Sequence, residues 1–554
     1  MAISREAYQA LEDIVGPENI TDEPATLDSY AYQLWAEFKQ NGSKFMPRPG
    51  AVVLPGSTEE VQAIVKTCNR YKLKYKAHST GWGLFGAPLV EDAIQLDMRR
   101  MDRILEIDEK NMFAVIEPYV IGSTLQAEAM KVGLNTHMIG AGASCSPLAS
   151  ATSLMGMGAD TIFMGQSTEN LLAAEWVMPT GDILRTGSLG SGLGWFCGDG
   201  PGPSLRGIFR GVVGACGGMG VFTKCAVKLY PWPGPAVMPI EGAPPVYTTQ
   251  LPNIIRGHTI AWSTWQGYAD ALYKIYDNDI GYIAHRQFIF FGDELQAGML
   301  RILTDPTKTV DDLEELLKTP EVQKLTEELY RSFQIVLAGM TPRDIEYQEK
   351  ILDQILAETG GWKVAAMEEP TMANWSLLFM TKLCFKNLNF IYAGGYFDAM
   401  IRGGTPDLVT SGWMETMREQ KRKFGKQGGI VDDGGDAGMG GMAGLGGGGI
   451  PGFENFIFYD SSDAESIKAA EACRIDAGCT AAEVGAGGWS FTYIEEQRAK
   501  SQLAEMVNPI IFRYQRKIKE ALDPNEVGDG TYQYLDEHEI EEGIKRTRMR
   551  RSKK

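Results

Sequence analysis

The run AVVLPGSTEEVQAIVKTCNRYKLKYKAHSTGWGLFGAP, residues 51–88, constrains the fold more than any other stretch of this chain. An apolar strand comes first, followed by a turn at Pro55-Gly56. Ser57 with Glu60 three positions on is a capping box, and it opens a helix that keeps Val61, Ile64 and Val65 on one face. KLKYKAH reads as the next strand, so the three pieces make a β-α-β unit.

The second strand runs into HSTGWGLFGAP, residues 78–88, which has three glycines and no ionised side chain. Consecutive small residues at a strand end expose several backbone N–H groups with no Cβ in the way. Such a concavity accepts a diphosphate without needing a lysine. Neither common nucleotide fingerprint is present, since the chain has no GxxxxGK[ST] and no GxGxxG between a strand and a helix.

Beyond the loop, AIQLDM, RILEID and FAVIEPYV read as short strands, and TLQAEAMKVG as a helix ended by its glycine. AEWVMPTGDILRTG is a hairpin turning at Thr180-Gly181-Asp182. GVFTKCAVKLYPWPGP closes a first lobe, and its proline-rich end marks a domain boundary. Residues from 240 to about 480 mix strands such as RQFIFFG with helices such as TVDDLEELLK and RDIEYQEKILDQILAET. The glycine-dominated stretch from Gly428 to Gly452 reads as a surface loop. The basic amphipathic helix near the end is stopped by Asp523-Pro524-Asn525.

At 554 residues the chain exceeds a domain of about 100–200 residues several-fold, so two or more lobes are expected. Its net charge of −18 argues against a nucleic-acid ligand. The one basic cluster, KRTRMRRSKK, reads as a frayed, solvated end. No apolar run approaches the roughly 18 residues of a membrane span, and the opening helix is acidic, unlike a secretion signal; a cytoplasmic protein is expected. Eight cysteines without a CxxC argue against a zinc or iron–sulfur site and against a disulfide framework.

Taken in order, AVVLPGSTEEVQAIVKTC, STGWGLFGAP, the strand cluster through FAVIEPYVIGSTL, AAEWVMPTGDILRTG, GPSLRGIFRGVVGACGGMGVFTKCAVKLYPWP and KEALDPNEVGDGTY resemble the FAD-linked oxidoreductases of the vanillyl-alcohol oxidase and p-cresol methylhydroxylase superfamily. The chain is also similar to glycolate oxidase FAD subunits. The resemblance implies an α+β, two-domain PCMH-type FAD-binding fold. Its parts would be a helical segment (1–48), an FAD-binding domain (49–236), an α+β substrate or cap domain (237–485), a C-terminal segment returning to the flavin (486–540) and a basic tail (541–554). By the same match the diphosphate lies on Ser79, Thr80, Gly81, Trp82 and Gly83, with Gly86 and Ala87 closing the loop. Ser146, Pro147, Ser150, Ala151, Ser153 and Gly156 are expected along the flavin and ribityl chain, and Gly220, Val221 and Thr223 beside the FAD from the closing strand.

A flavin accepts a hydride at N5, and the protein orients the substrate and takes up its proton. The metal-dependent 2-hydroxy-acid dehydrogenases of the superfamily carry closely spaced histidines. This chain has only His78, His137, His258, His285 and His538, no two at ligand spacing, which disfavours that chemistry and any bound metal. The phenol-oxidising branch has a tyrosine where Trp82 stands and an acidic residue where Gly156 falls, so para-hydroxylated phenols are disfavoured too. Aromatic candidates remain for catalysis: Tyr392 and Tyr396 in NFIYAGGYFDAM, with Asp398, and Trp489 and Tyr493 in GAGGWSFTYIEEQ. Non-covalent FAD is the expectation, since His78 lies off the usual attachment position. The resemblance therefore implies an FAD-dependent dehydrogenase acting on a small organic alcohol or activated carbon. It would belong to an oligomer or complex and pass electrons to an iron–sulfur subunit, a cytochrome or an electron-transfer flavoprotein. An oxygen-using oxidase and a non-catalytic relay or scaffold subunit stand as alternatives.

Overall fold

Two helices lead into the constraining run. In α1 (Arg5–Val15), Ala7, Leu11 and Val15 recur at helical spacing and are buried, and the Ser4 side chain caps the first turn through the Ala7 N–H. After β1 (Ile20–Thr21) comes α2 (Pro24–Ala31), with its proline at the start, where no N–H is needed. The computed structural model describes residues 3–32, 45–81, 86–138, 143–153, 156, 158–200, 204–209, 218–243, 246–286, 307–367, 395–403, 405–430, 440–441, 453–459, 463–483, 487–490, 509–530 and 537–551.

The strand, capped helix and strand form as expected: β2 (Ala51–Val53), α3 (Thr58–Tyr71) and β3 (Tyr75–His78). Ser57 Oγ accepts the Glu60 N–H at 3.1 Å, while the Glu60 carboxylate reaches the N–H of Gly56 at 2.7 Å, one residue short of the reciprocal box partner. β2 and β3 are not neighbours, because β4 (Ile94–Asp97) lies between them, parallel to both. With β1 antiparallel at the edge, the sheet order is β1-β2-β4-β3. One face, carrying Val53, Ile94 and Leu96, packs with Leu11 of α1 and Val61, Ile64 and Val65 of α3. The alternate residues Gln95, Asp97 and Lys76 are also fully buried, so the second face is a buried polar layer.

A six-stranded antiparallel sheet follows. It comprises β5 (Ile104–Asp108), β6 (Phe113–Ile116), β7 (Leu134–Thr136), β8 (Leu171–Val177), β9 (Ile183–Arg185) and β10 (Val221–Pro231), with β10 pairing β6, β7 and β8. The β8–β9 hairpin turns at Gly181, whose φ of +85° is the left-handed value the turn requires. α4 (Gly122–Lys131) and α5 (Pro147–Ser153) accompany this sheet, whose core joins Leu125, Leu148, Trp176 and Phe222. Glu175 of β8 ties the six-stranded sheet to α3, the helix that packs on the first sheet. Its carboxylate accepts Thr58 Oγ1 at 2.7 Å and meets Arg185 and Lys224 at 2.8 Å each. Burial alone would raise this carboxyl; Lys224, Thr58 and Arg185 outweigh that and hold it below the usual range.

The chain divides into two compact units, the first comprising Met1–Gly156, Gln166–Pro231 and Tyr493–Lys554, the second Met157–Gly165 and Trp232–Thr492. In the first, the helix Pro509–Leu522 ends at Asp523. The basic tail expected to fray is instead helical through Arg551, in a helix Glu537–Arg551. Acidic residues in its first turn and arginines in its last suit the helix dipole, and Arg513 pairs with Glu537.

The second unit holds a small hairpin, β11 (Ile240–Ala243) with β12 (Val246–Thr249). Its main sheet is antiparallel, in the order β16-β13-β15-β14-β18: β13 (Ile255–Trp262), β14 (Ile283–Arg286), β15 (Ser332–Ala338), β16 (Gly361–Lys363) and β18 (Gly440–Gly441). Ile260, Trp262, Phe333, Ile335 and Leu337 on one face pack against Tyr268, Leu272 and Ile275 of the helix Trp265–Asp277 and Leu352, Ile355 and Leu356 of the helix Pro342–Thr359. A three-stranded sheet, β19-β17-β20, combines β17 (Gly395–Gly403), β19 (Phe453–Phe458) and β20 (Gly487–Ser490). The expected strand RQFIFFG is described only to Arg286, and most of the glycine-dominated stretch lies outside the described residues. No described helix is long and apolar enough to cross a membrane.

Glu349 in this unit gives the fold a measurable acid sensitivity. Burial raises its carboxyl, but His258 at 2.7 Å and Lys363 at 3.1 Å prevail and hold it at about 2, against an ordinary 4.5. A carboxylate whose folded value is depressed stabilises fully above its unfolded value and loses that contribution as pH falls toward the folded one. The melting temperature of the second unit is therefore expected to drop between pH 4.5 and about 2. In E349Q that part of the slope should be missing; an unchanged slope would show that the triad contributes nothing.

Candidate functional site

The glycine loop leaves β3 at His78. Its ring Nδ1 lies 3.1 Å from the carbonyl of Gly86, which also accepts Gln95 Nε2 at 2.8 Å, so the two ends of the loop are pinned together. Burial pushes the His78 imidazole below its ordinary 6.5, which keeps the ring neutral at neutral pH. Tyr30 stands edge-on to that ring at 5.1 Å and hydrogen-bonds Asp97, which Arg99 also pairs. Ser79 donates its hydroxyl to the Pro118 carbonyl, so its side chain is engaged within the chain and its backbone is what it offers a ligand. Gly81 has φ +70°, and a Cβ there would sit 2.9 Å from His78 Nε2. Bare backbone is thus required at this point. Ala87 is buried; Trp82 and Gly83 lie outside the described residues.

The C-terminal segment closes on the same place. Tyr75 N–H bonds the Val527 carbonyl at 2.8 Å, and Asp529 N–H bonds the Tyr75 carbonyl at 2.9 Å, extending the sheet edge by one bridge. Asp529 Oδ2 accepts the Leu89 N–H at 2.7 Å, while Oδ1 is buried with no hydrogen-bond partner among the described residues. Lys519 reaches the carbonyls of Gly218 at 2.7 Å and Gly528 at 3.1 Å and pairs with Asp523, whose oxygens also cap the Val527 and Gly528 N–H groups at 2.9 Å. No local sequence signal marks the contacts of Asp529 with Leu89 or of Lys519 with Gly218, because these partners lie hundreds of residues away.

Within the same unit a small, partly open cavity lies beside α5. Thr136, His137 and Met138 after β7, Cys145, Pro147 and Ser150 at α5, and Ser167 and Asn170 are among its walls. Ser146 caps α5, its Oγ accepting the Ala149 N–H at 3.1 Å. Beside lining Cys145, Ser144 Oγ is buried with no partner among the described residues. Gly156 is held where His137 Nε2 lies 3.1 Å and Ser167 Oγ 3.1 Å from its carbonyl. His137 and Ser167 are thus candidate site residues that no sequence motif singles out.

The remaining expected cofactor residues divide by what their side chains already do. Ala151 packs in the apolar core with Trp176 and Phe222, and Val221 packs with Val53 and Val177. Thr223 Oγ1 contacts Glu175, as part of the network that ties the six-stranded sheet to α3. For these three, burial and existing partners leave only the backbone to meet a ligand. Gly220 has φ +104°, and a Cβ would lie 2.5 Å from Trp176 Nε1, which donates to the Met219 carbonyl at 2.7 Å. The Ser153 side chain lies outside the described residues, as do Tyr392 and Tyr493. Tyr396 is on β17 opposite Ile457, and Trp489 is on β20 opposite Ile401, so one small sheet carries both.

Residues 49–187 match the family of FAD binding domains. The glycolate oxidase subunit GlcD of Bacillus subtilis (strain 168) is 27% identical over 232 residues, 42% of this chain and 46% of that protein. The flavoprotein subunit of 4-cresol dehydrogenase [hydroxylating] of Pseudomonas putida is 29% identical over 200 residues, 35% of this chain and 37% of that one. The chain spans less than half the length of these curated relatives. Among solved structures, p-cresol methylhydroxylase with bound substrate superposes with a TM-score of 0.71 at 18% identity, covering 96% of each chain. The 4-ethylphenol oxidase of Gulosibacter chungangensis in complex with isoeugenol gives 0.69 at 18% identity, covering 97% of this chain and 99% of that one. The fold is thus the α+β, two-domain PCMH type.

The geometry fits FAD. The cavity has the Ser150 and Ser167 side chains in its wall and suits a polyol chain, and a bare loop pinned at both ends suits a diphosphate. A Cβ at Gly81 would press on the His78 ring that pins the loop, and one at Gly156 on the Ser167 side chain in the cavity wall.

Proposed function

From a chain that carries an FAD-binding domain and folds as p-cresol methylhydroxylase does, we propose an FAD-dependent dehydrogenase that oxidises a small, uncharged organic alcohol or activated carbon and delivers the electrons to a partner protein. The observation that carries this reading is the cradle of the first unit, in which the glycine loop and the cavity beside α5 belong to the stretch that matches FAD-binding domains. Bound FAD would supply the hydride acceptor at N5. The peptide N–H groups from Ser79 to Gly81 and at Gly86 and Ala87 would hold its diphosphate. Ser144 and Ser150 would meet ribityl hydroxyls, and Met138 and Pro147 give the cavity apolar walls that exclude water. His137 and Ser167 fix the Gly156 carbonyl and thereby the shape of the wall. For contact with the reacting carbon, Tyr392, Tyr396, Trp489 and Tyr493 remain the candidates.

A partner is supported by the names of two relatives, each a subunit of its enzyme. The fold match to a 4-ethylphenol oxidase supports a second reading, in which oxygen takes the electrons. Purified protein is expected to be yellow, and anaerobic titration with a panel of small alcohols to bleach its visible band. Slow recolouring in air with fast recolouring by an added acceptor protein supports the dehydrogenase. Fast recolouring in air alone supports the oxidase. A flavin that no alcohol bleaches would leave a relay or scaffold subunit.

A further inference from the structure

A row of polar side chains crosses the main sheet of the second unit on the face opposite its helices. Thr259 of β13 pairs directly with Gln334 of β15, and Gln334 with His285 of β14. Directly opposed residues of antiparallel strands share a face, with Cβ atoms about 5 Å apart. The neighbouring register positions carry the apolar helix-side core: Ile260, Phe333 and Ala284. Arg286, next to His285, belongs to that other face, where it donates to the Tyr330 carbonyl at 2.8 Å and lies over the Trp265 ring. Among the described residues of the row there is therefore no lysine or arginine.

Thr259, Gln334 and His285 are 0, 1 and 2% exposed. Gln334 decides the matter. A carboxamide offers two donor hydrogens and two acceptor lone pairs, yet neither its nitrogen nor its oxygen has a hydrogen-bond partner among the described residues. A buried amide left unsatisfied at both ends is unfavourable, and such groups in native proteins have a partner in water or ligand. A glycine, Gly441, pairs with His285 at one end of the row, and Gly257 lies on the same face two residues before Thr259, in the register of Val336. Neither brings a side chain to compete for the space.

We propose that Thr259, Gln334 and His285 form a binding site for a neutral small molecule bearing a hydroxyl or carbonyl group, with the Gln334 carboxamide donating to and accepting from it. A hydroxyl, an amide and an imidazole match a group that both donates and accepts, while a carboxylate would be taken out of water with no lysine or arginine among the row's described residues to meet it. On the reading of the chain as an alcohol-oxidising flavoprotein this ligand is the substrate or product, and to that extent the assignment rests on that reading. Binding itself requires no turnover.

Calorimetric titration of the anaerobically reduced holoprotein, whose flavin accepts no further hydride, with benzamide, benzyl alcohol and benzoate tests the site without a redox step. Wild-type protein is expected to bind benzamide and benzyl alcohol about tenfold or more tighter than benzoate, which has the same shape but is charged. Q334M keeps the length of the side chain and removes its polar atoms. It should weaken both neutral probes about tenfold while leaving benzoate unchanged, and T259V, which removes only a hydroxyl, should weaken them less. Equal affinity for the neutral and anionic probes, no binding of the neutral probes, or neutral-probe affinity unchanged in Q334M would each overturn the proposal. A flavin that alcohols fail to bleach while these affinities behave as expected would instead count against the dehydrogenase reading alone.

Discussion

Gly528→Ala is expected to unfasten the C-terminal return from the first unit and to destabilise that unit by about 3 kcal/mol or more. A Cβ at Gly528 would lie 2.9 Å from the Gly218 carbonyl carbon, closer still to its oxygen, and 2.8 Å from Lys519 Nζ. The first two are backbone atoms and cannot swing aside, and Gly218 meets Gly528 equally closely from its own side. Separating them would break both lysine–carbonyl bonds and leave Asp523 and Lys519 to hold each other alone. Burial already lowers the Lys519 ammonium below its usual range against the opposing pull of Asp523, so the pair tolerates little further loss of partners. Because Asp529 bonds Leu89 at the end of the glycine loop, flavin content should fall together with the melting temperature. Gly360→Ala serves as the comparison. That glycine, unlike Gly528, has a positive φ, but nothing lies within 4 Å of its added Cβ, so about 1 kcal/mol is expected. Equal melting of the two variants would show that the close approach of Gly218 and Gly528 does not form.

Gly156→Ala should empty the cofactor site more selectively. The added Cβ would overlap Ser167 Oγ and lie 2.6 Å from Ser167 Cβ, at a backbone φ of +50°. Ser167 must then withdraw from the Gly156 carbonyl and from His137 Nε2, which it now meets at 3.0 Å, and the cavity wall loses its shape. An overpacked site of this kind loses about 1–3 kcal/mol, and flavin occupancy should drop at least about tenfold. The double variant Gly156→Ala with Ser167→Gly removes the clashing side chain and should recover most of both losses, a coupling that a double-mutant cycle measures directly. Should Gly156→Ala retain its full flavin complement, the cavity beside α5 would not be part of the cofactor site.

How much of this site could be read in the linear sequence follows from the range of each interaction. The Ser57 cap, the α3 face of Val61, Ile64 and Val65, the turn at Gly181 and the helix stop at Asp523 involve residues within a few positions of one another, and each appears where expected. The glycine loop was legible for the same reason: small residues after a strand advertise free backbone whatever surrounds them. Ala151, Val221 and Thr223 are a different case, since a match of text says which segment approaches a cofactor but not which way its side chains turn. Tertiary packing gives those side chains to the core and to Glu175.

The sequence alone determined the order of elements, their caps and turns, and a loop of bare peptide groups suited to a diphosphate, because periodicity and local hydrogen bonding settle these within a dozen residues. Only the tertiary structure decided that β4 enters between β2 and β3, that Asp529 clasps the end of the loop from the far end of the chain while Lys519 holds Gly218, that His137 and Ser167 shape the cavity, and that Gln334 is buried with both polar atoms unmet among the described residues. Those outcomes depend on strand register and on contacts between residues far apart in the chain, where a shift of one position turns every side chain to the opposite face.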